Sequence, residues 1–156
     1  MDWRAQLIEQ IRGRALLYAT LYDTLEGELG AADAERLLAT AIRARGEQGG
    51  AGLSRHAPAD FDGLRDSFLR GVPGEGALFA PEVERCDGGG LEIQFHACPL
   101  QDAWHDAGLS EERIATLCRI AGSVDRGMFE AAGFAIENRT WTPGAPGCCH
   151  LSIRRA

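Results

Sequence analysis

The first third of the chain is written in threes and fours. From Trp3 to Leu29 the apolar positions are Trp3, Leu7, Ile8, Ile11, Ala15, Tyr18, Leu21, Tyr22, Leu25 and Leu29, the spacing of one broad helical face. Gly30 is placed to end that helix. A second helix is predicted from Ala31 to Gln48, with Ala34, Leu37, Leu38, Ala41 and Ile42 inward, and "GEQGGAG" stops it and opens a loop. A short third helix over Asp60–Arg70 would turn Phe61, Leu64, Phe68 and Leu69 inward.

After "GVPGEG" the period changes from helical to alternating. "PEVERCDGGGLEIQFHACP" reads as strand, glycine turn, strand. Leu91, Ile93, Phe95 and Ala97 share one face, and Glu92, Gln94, His96 and Cys98 share the other, until Pro99 ends the strand. The stretch from Gly108 to Phe129 reads as one long helix. Ser110 is its N-cap, Glu111 and Glu112 suit its positive end, and Ile114, Leu117, Cys118, Ala121, Val124 and Met128 form its stripe. A second hairpin follows, with strands over Phe134–Trp141 and Cys148–Arg154 joined by a Pro/Gly turn. Cys149, Leu151 and Ile153 point one way along it, and Cys148, His150 and Ser152 the other. The expected fold is α+β: N-terminal helices, then an antiparallel sheet of two hairpins with a long helix between them. It forms a single domain over residues 1–156, with a helical part at 1–72 and the sheet plus long helix at 78–156.

Composition narrows the function classes. The formal charge of −7 argues against a nucleic-acid or anionic-membrane surface. No apolar run approaches a membrane span, and the charged, amphipathic "MDWRAQLIEQ" has no signal-peptide core. A cytoplasmic protein is expected, with a small-molecule substrate as partner, no nucleic acid and no membrane. The broad face of the first helix would also suit a homo-oligomer. The five cysteines are then reduced, and are thiols, metal ligands or nucleophiles rather than a disulfide framework.

The residue that demands explanation is Asp125. It falls on the apolar stripe of the long helix, one heptad after Cys118. An unpaired buried carboxylate costs several kcal/mol, roughly, so it is either partnered, neutral or part of a site. Seven residues separate the two side chains by about 10.5 Å along a helix axis, so they could line one elongated pocket without touching. If the helix crosses the strand face carrying His96 and Cys98, a Cys/His/Asp collection results, suited to activating a thiol or binding zinc. If that face is solvent, His96 is only an exposed polar group. "GCCH" sends Cys149 to the core side of its strand and Cys148 with His150 to the other. Trp104 and Trp141 suit core more readily than ligand, and His56 and His105 lie in loop-like sequence and should be solvated.

"ACPLQDAWHDAGLSEERIATLCRIAGSVDRGMFEAAGF" followed by "GCCHLSI" resembles the L-2-amino-thiazoline-4-carboxylic acid hydrolase family. The likeness lies in Cys98 after the second strand, Asp125 in the long helix with the aromatic Phe129 beyond it, and the ending around Cys149. One departure stands out: where the family pattern carries a cysteine about one turn before the aspartate, this chain has Gly122, and its cysteine lies at Cys118. The resemblance implies hydrolysis of a C–N or C–S bond in a small cyclic amidine, a thiazoline amino acid opened to N-carbamoyl-cysteine. Cys98 would be the nucleophile or a metal ligand, His96 or His150 its proton partner, and Asp125 would orient that partner or bind the amidine nitrogen. Cys149 completes the candidate catalytic set. Cys118 and Trp104 would line the substrate, and Arg119 or Arg139 would take its carboxylate. A divalent metal such as zinc is the candidate cofactor. The alternative is a non-catalytic small-molecule or metal-binding sensor built from the same thiols.

Overall fold

The computed structural model describes residues 2–156. Helix α1 spans Trp3–Leu29. Asp2 caps it, its Oδ1 accepting from the amides of Arg4 at 3.0 Å and Ala5 at 3.3 Å. Gly30, at φ +85°, turns the chain directly into α2, Ala31–Gly50. After a 3₁₀ turn at Ser54–His56 comes α3, Phe61–Gly71. Strands β1 (Pro81–Asp87) and β2 (Gly90–Phe95) form the first hairpin. Three helices follow, α4 (Pro99–Asp106), α5 (Glu111–Ala121) and α6 (Ser123–Ala131), then β3 (Phe134–Arg139) and β4 (His150–Arg155). The sheet is antiparallel throughout, in the order β1-β2-β4-β3. The α+β expectation holds. Among the described residues, no helix is long and apolar enough to cross a membrane.

Alternation assigns the two faces of the sheet. Leu91, Ile93, Leu151 and Ile153 are fully buried on the inner face, where Leu64 and Phe68 of α3 and Phe129 of α6 cover them. A second core lies among α1, α2, α4 and α5, around Ala15, Ala34, Trp104, Ile114, Leu117 and Ile120. Trp104 is its largest fully buried side chain. It is fully buried and donates Nε1–H to the Ala15 carbonyl at 2.7 Å, which removes it from the substrate-binding candidates. Trp104→Phe deletes that donor in a dry site. A loss of about 1–2 kcal/mol is expected, read by denaturant unfolding.

The second hairpin is shorter than predicted, β3 ending at Arg139 and β4 starting at His150, so Cys148 and Cys149 precede the strand that was expected to carry them. Three other stretches differ from the expectation as well. Helix α2 continues through "GEQGG" to Gly50 because its glycines serve packing here, not chain reversal. A Cβ on Gly46 would lie 2.0 Å from the Val124 carbonyl oxygen, and one on Gly50 would lie 2.5 Å from that of Met128. From the other side, a Cβ on Gly127 would lie 2.2 Å from the Arg43 oxygen. Helices α2 and α6 therefore meet backbone to backbone. Helix α4 occupies a stretch to which the local pattern assigns no element. Pro99 ends the strand and also occupies the first helical position, where it has no amide to satisfy. The long helix is two, broken at Gly122. The Asn138 side-chain amide donates to the Gly122 carbonyl at 3.1 Å, and Ser123 Oγ donates to the Arg119 carbonyl at 3.3 Å. A Gly–Ser pair with a side chain inserted into the hydrogen-bond ladder is a known cause of such breaks.

Candidate functional site

The break delivers Asp125 to the first turn of α6, half-buried where the two cores meet. Cys118 is buried within the helical core, Cys98 borders it, and Cys148 borders the sheet core. Cys98 is the N-cap of α4, with the amides of Leu100 and Gln101 favouring its thiolate. Cys148 and Cys149 run alongside the end of β2: the Cys148 amide donates to the Phe95 carbonyl at 2.9 Å, and the Phe95 amide to that of Cys149 at 3.0 Å. All five cysteines are free, and Cys98, Cys118, Cys148, Cys149 and Asp125 lie close enough to bias one another's ionisation.

Burial dominates these ionisations. It pushes Cys118 and Cys148 each up to about 12, and raises Cys149 further still. Cys98 is raised as well, because desolvation outweighs the two amides aimed at it. The resting thiols are therefore protonated near neutrality. Asp125 is raised by desolvation from 3.8 to about 7. Of this cluster it is the group brought nearest to neutrality.

The histidines predicted for the site are not in it. His96 is exposed on the outer sheet side, with Nε2 2.7 Å from Glu82 Oε2, and the helices cover the opposite face. His150 is buried but also faces outward, with Nε2 2.9 Å from Glu84 Oε2 and Nδ1 3.3 Å from Arg139. Arg139 thus belongs to that outer network. Arg119 holds Glu35 in a two-bond pair at 2.7 and 3.1 Å on the helical side. Among the described residues no group of three or more His, Cys, Asp or Glu is arranged to hold a metal ion, so the residues do not fit the zinc expectation. Two side chains that sequence reading passed over stand at the site. Asn138 donates Nδ2–H to Asp125 Oδ2 at 3.4 Å, and Arg126 donates to the Asn138 carbonyl at 3.4 Å. The alternation Phe134, Ile136, Asn138 already placed that amide on the core face of β3.

Two surface clefts are present, one remote from the thiols and one reaching the start of α4 beside Cys98. One of about 710 Å³ lies along the first turns of α1, and one of about 350 Å³ lies between α1 and α4 among Arg4, Arg12, Asp102 and Asp106. His56, expected in solvent, is instead buried and forms a Ser–His–Asp chain. Its Nδ1 is 2.7 Å from Asp60 Oδ2 and its Nε2 is 2.8 Å from Ser67 Oγ. His105, the other histidine expected in solvent, is exposed on α4. Ser67 lies inside α3, where neighbouring amides are committed to the helix and cannot stabilise an oxyanion. The chain is a clasp between the 3₁₀ turn and α3. His56→Leu should cost about 1–2 kcal/mol, seen as a lowered melting temperature, and a fluorophosphonate probe should leave Ser67 unmodified.

A family model described as L-2-amino-thiazoline-4-carboxylic acid hydrolase matches residues 9–152. No curated protein matches the chain. Among solved structures, the chain is similar to a trafficking protein particle complex subunit 3 from Naegleria fowleri covalently bound to palmitic acid, at TM-score 0.62 and 14% identity, covering 94% of this chain and 95% of that one. At that identity the likeness is one of fold.

Proposed function

We propose, from the premise that the chain belongs to the L-2-amino-thiazoline-4-carboxylic acid hydrolase family, that it hydrolyses a small cyclic amidine, with Asp125 carrying the proton and Cys98 meeting the substrate. The observation behind this reading is Asp125: a half-buried carboxyl that titrates at about 7 and is electrostatically coupled to Cys98 and Cys149. It takes the role that the sequence offered to a histidine.

For a thiazoline amino acid the reaction adds one water to the carbon between sulfur and nitrogen and breaks the C–S bond. That carbon keeps both nitrogens and becomes a urea carbonyl. One water hydrogen ends on the departing sulfur and the other on the ring nitrogen. The ionised Asp125 accepts a proton from the attacking thiol or water, and the neutral acid returns it to the leaving sulfur; where Cys98 attacks, a water then adds to the S-bound carbon and displaces the Cys98 sulfur, which leaves as the thiol, giving the urea carbonyl. A carboxyl poised near neutrality serves both directions. Arg126, beside Asp125, is the cation available for the substrate carboxylate.

The test is to incubate the protein with L-2-amino-thiazoline-4-carboxylate and follow N-carbamoyl-cysteine by mass spectrometry. Product formed by the wild type and lost in Cys98→Ser and Asp125→Asn supports the reading. Unchanged turnover in Cys98→Ser removes the sulfur from the chemistry. A second reading, a covalently held acyl group on Cys98, is favoured by the fold neighbour's palmitate and by the packing of Cys98 against the helical core. A hydroxylamine-labile acyl mass on the purified protein would select it.

A further inference from the structure

One side chain serves both the helix break and the carboxyl. Asn138 lies on the inner face of β3, paired across the strands with Leu151, and is 6% exposed. Its neighbours on that face, Phe134 and Ile136, are apolar. A side chain serving stability alone would be aliphatic there, since a buried amide must find partners for all its polar atoms. Asn138 spends Nδ2 on the Gly122 carbonyl at 3.1 Å and on Asp125 Oδ2 at 3.4 Å, while its buried Oδ1 has no hydrogen-bond partner. Gly122 makes room for this arrangement, because a Cβ there would lie 2.9 Å from Nδ2 and 2.7 Å from Thr140 Cγ2.

We propose that Asn138 is the positioning residue of this site: its amide ties the broken end of α5 to the Asp125 carboxyl and holds that carboxyl against the thiols. The inference rests on Asp125 being the proton carrier proposed above. The other charged or titratable groups around Asp125 are Cys98 at the start of α4, Cys149 before β4, and Arg126 on its own helix. None of the three makes the direct contact with the carboxyl that Asn138 makes. A donor to a carboxylate favours its charged form, so the proposal requires Asn138 to oppose what burial does to Asp125.

The test is a carboxyl-carbon NMR titration of Asp125, assigned by the signal lost in Asp125→Asn. In wild-type protein the Asn138 side-chain amide resonances should shift with the same midpoint as the Asp125 carboxyl, and that step should vanish in Asp125→Asn. In Asn138→Ala the Asp125 midpoint should move to higher pH, equivalent to roughly three- to tenfold tighter proton binding. In Asn138→Asp it should move further, because a second carboxyl is added. Amide resonances indifferent to the Asp125 titration in wild type overturn the inference, and this measurement does not depend on any variant folding. An unchanged midpoint in folded Asn138→Ala overturns it equally. Coupled titration in a protein that leaves the thiazoline intact would remove the hydrolase reading while the positioning role stands.

Discussion

Asp125→Asn is expected to abolish turnover and to strengthen the fold at alkaline pH. On the activity side, loss of a general acid–base group lowers the rate by about 10²–10⁴-fold, read as product formed from the thiazoline substrate. On the stability side, the carboxyl's native proton affinity is raised, from 3.8 to about 7. Below about 4 the group is protonated in both the folded and unfolded chains and contributes nothing. Between about 4 and 7 the folded protein keeps a proton that the unfolded chain has released, so stability falls as pH rises. Above 7 the full penalty is present, of order 4 kcal/mol from the size of the shift. Thermal melts of wild type should therefore drop across that window, and those of Asp125→Asn should lack this component. Equal melting temperatures of the two proteins at pH 8 would show that the carboxyl is not desolvated. A variant that gains stability while losing activity is the signature of a strained functional group.

Gly46→Ala and Gly127→Ala should be the most destabilising single-methyl additions in the chain. Each new Cβ would land on backbone, 2.0 Å from the Val124 oxygen in one case and 2.2 Å from the Arg43 oxygen in the other. Backbone in a helix cannot step aside as a flexible side chain can, so α2 and α6 must part. A cost of about 3 kcal/mol or more is expected for each, measured by denaturant unfolding. The double variant should cost less than the sum, because the first methyl already separates the helices. Strict additivity would mean that the two clashes relax independently and that the close crossing is not a single contact. Because α6 carries Asp125, even variants that stay folded should lose activity.

Legibility in the sequence followed the range of the causes. The bounds of helix α1 were readable, since its closing Gly30 is a local signal, but its face was not: Trp3, Ile8, Leu21 and Leu29 are exposed. The alternation of β2 and β4 was readable too, and it separated Leu91, Ile93, Leu151 and Ile153 from Glu92, Gln94, His150 and Ser152. It could not say which face the helices cover, and that choice alone removed His96 and His150 from the thiols. The glycines of α2 were misread because a loop and a close helix crossing leave the same residues in the sequence. The break at Gly122 depends on an amide sixteen residues further on, beyond any local pattern. Asp125 stood out because it violated its own stripe. Its proximity to Cys98 and Cys149 comes only from the way α4, α6 and the approach to β4 converge between two cores.

The placement of those sulfurs also bears on how the protein weathers air. Peroxide and molecular oxygen attack cysteine through its deprotonated form. A group moved from 9.0 to about 12, as at Cys118, presents roughly a thousandfold less of that form at pH 7 than an ordinary exposed cysteine. Rich as it is in cysteine, the chain should survive aerobic handling without reductant, its sulfur held in reserve until something enters the site and changes the local solvation.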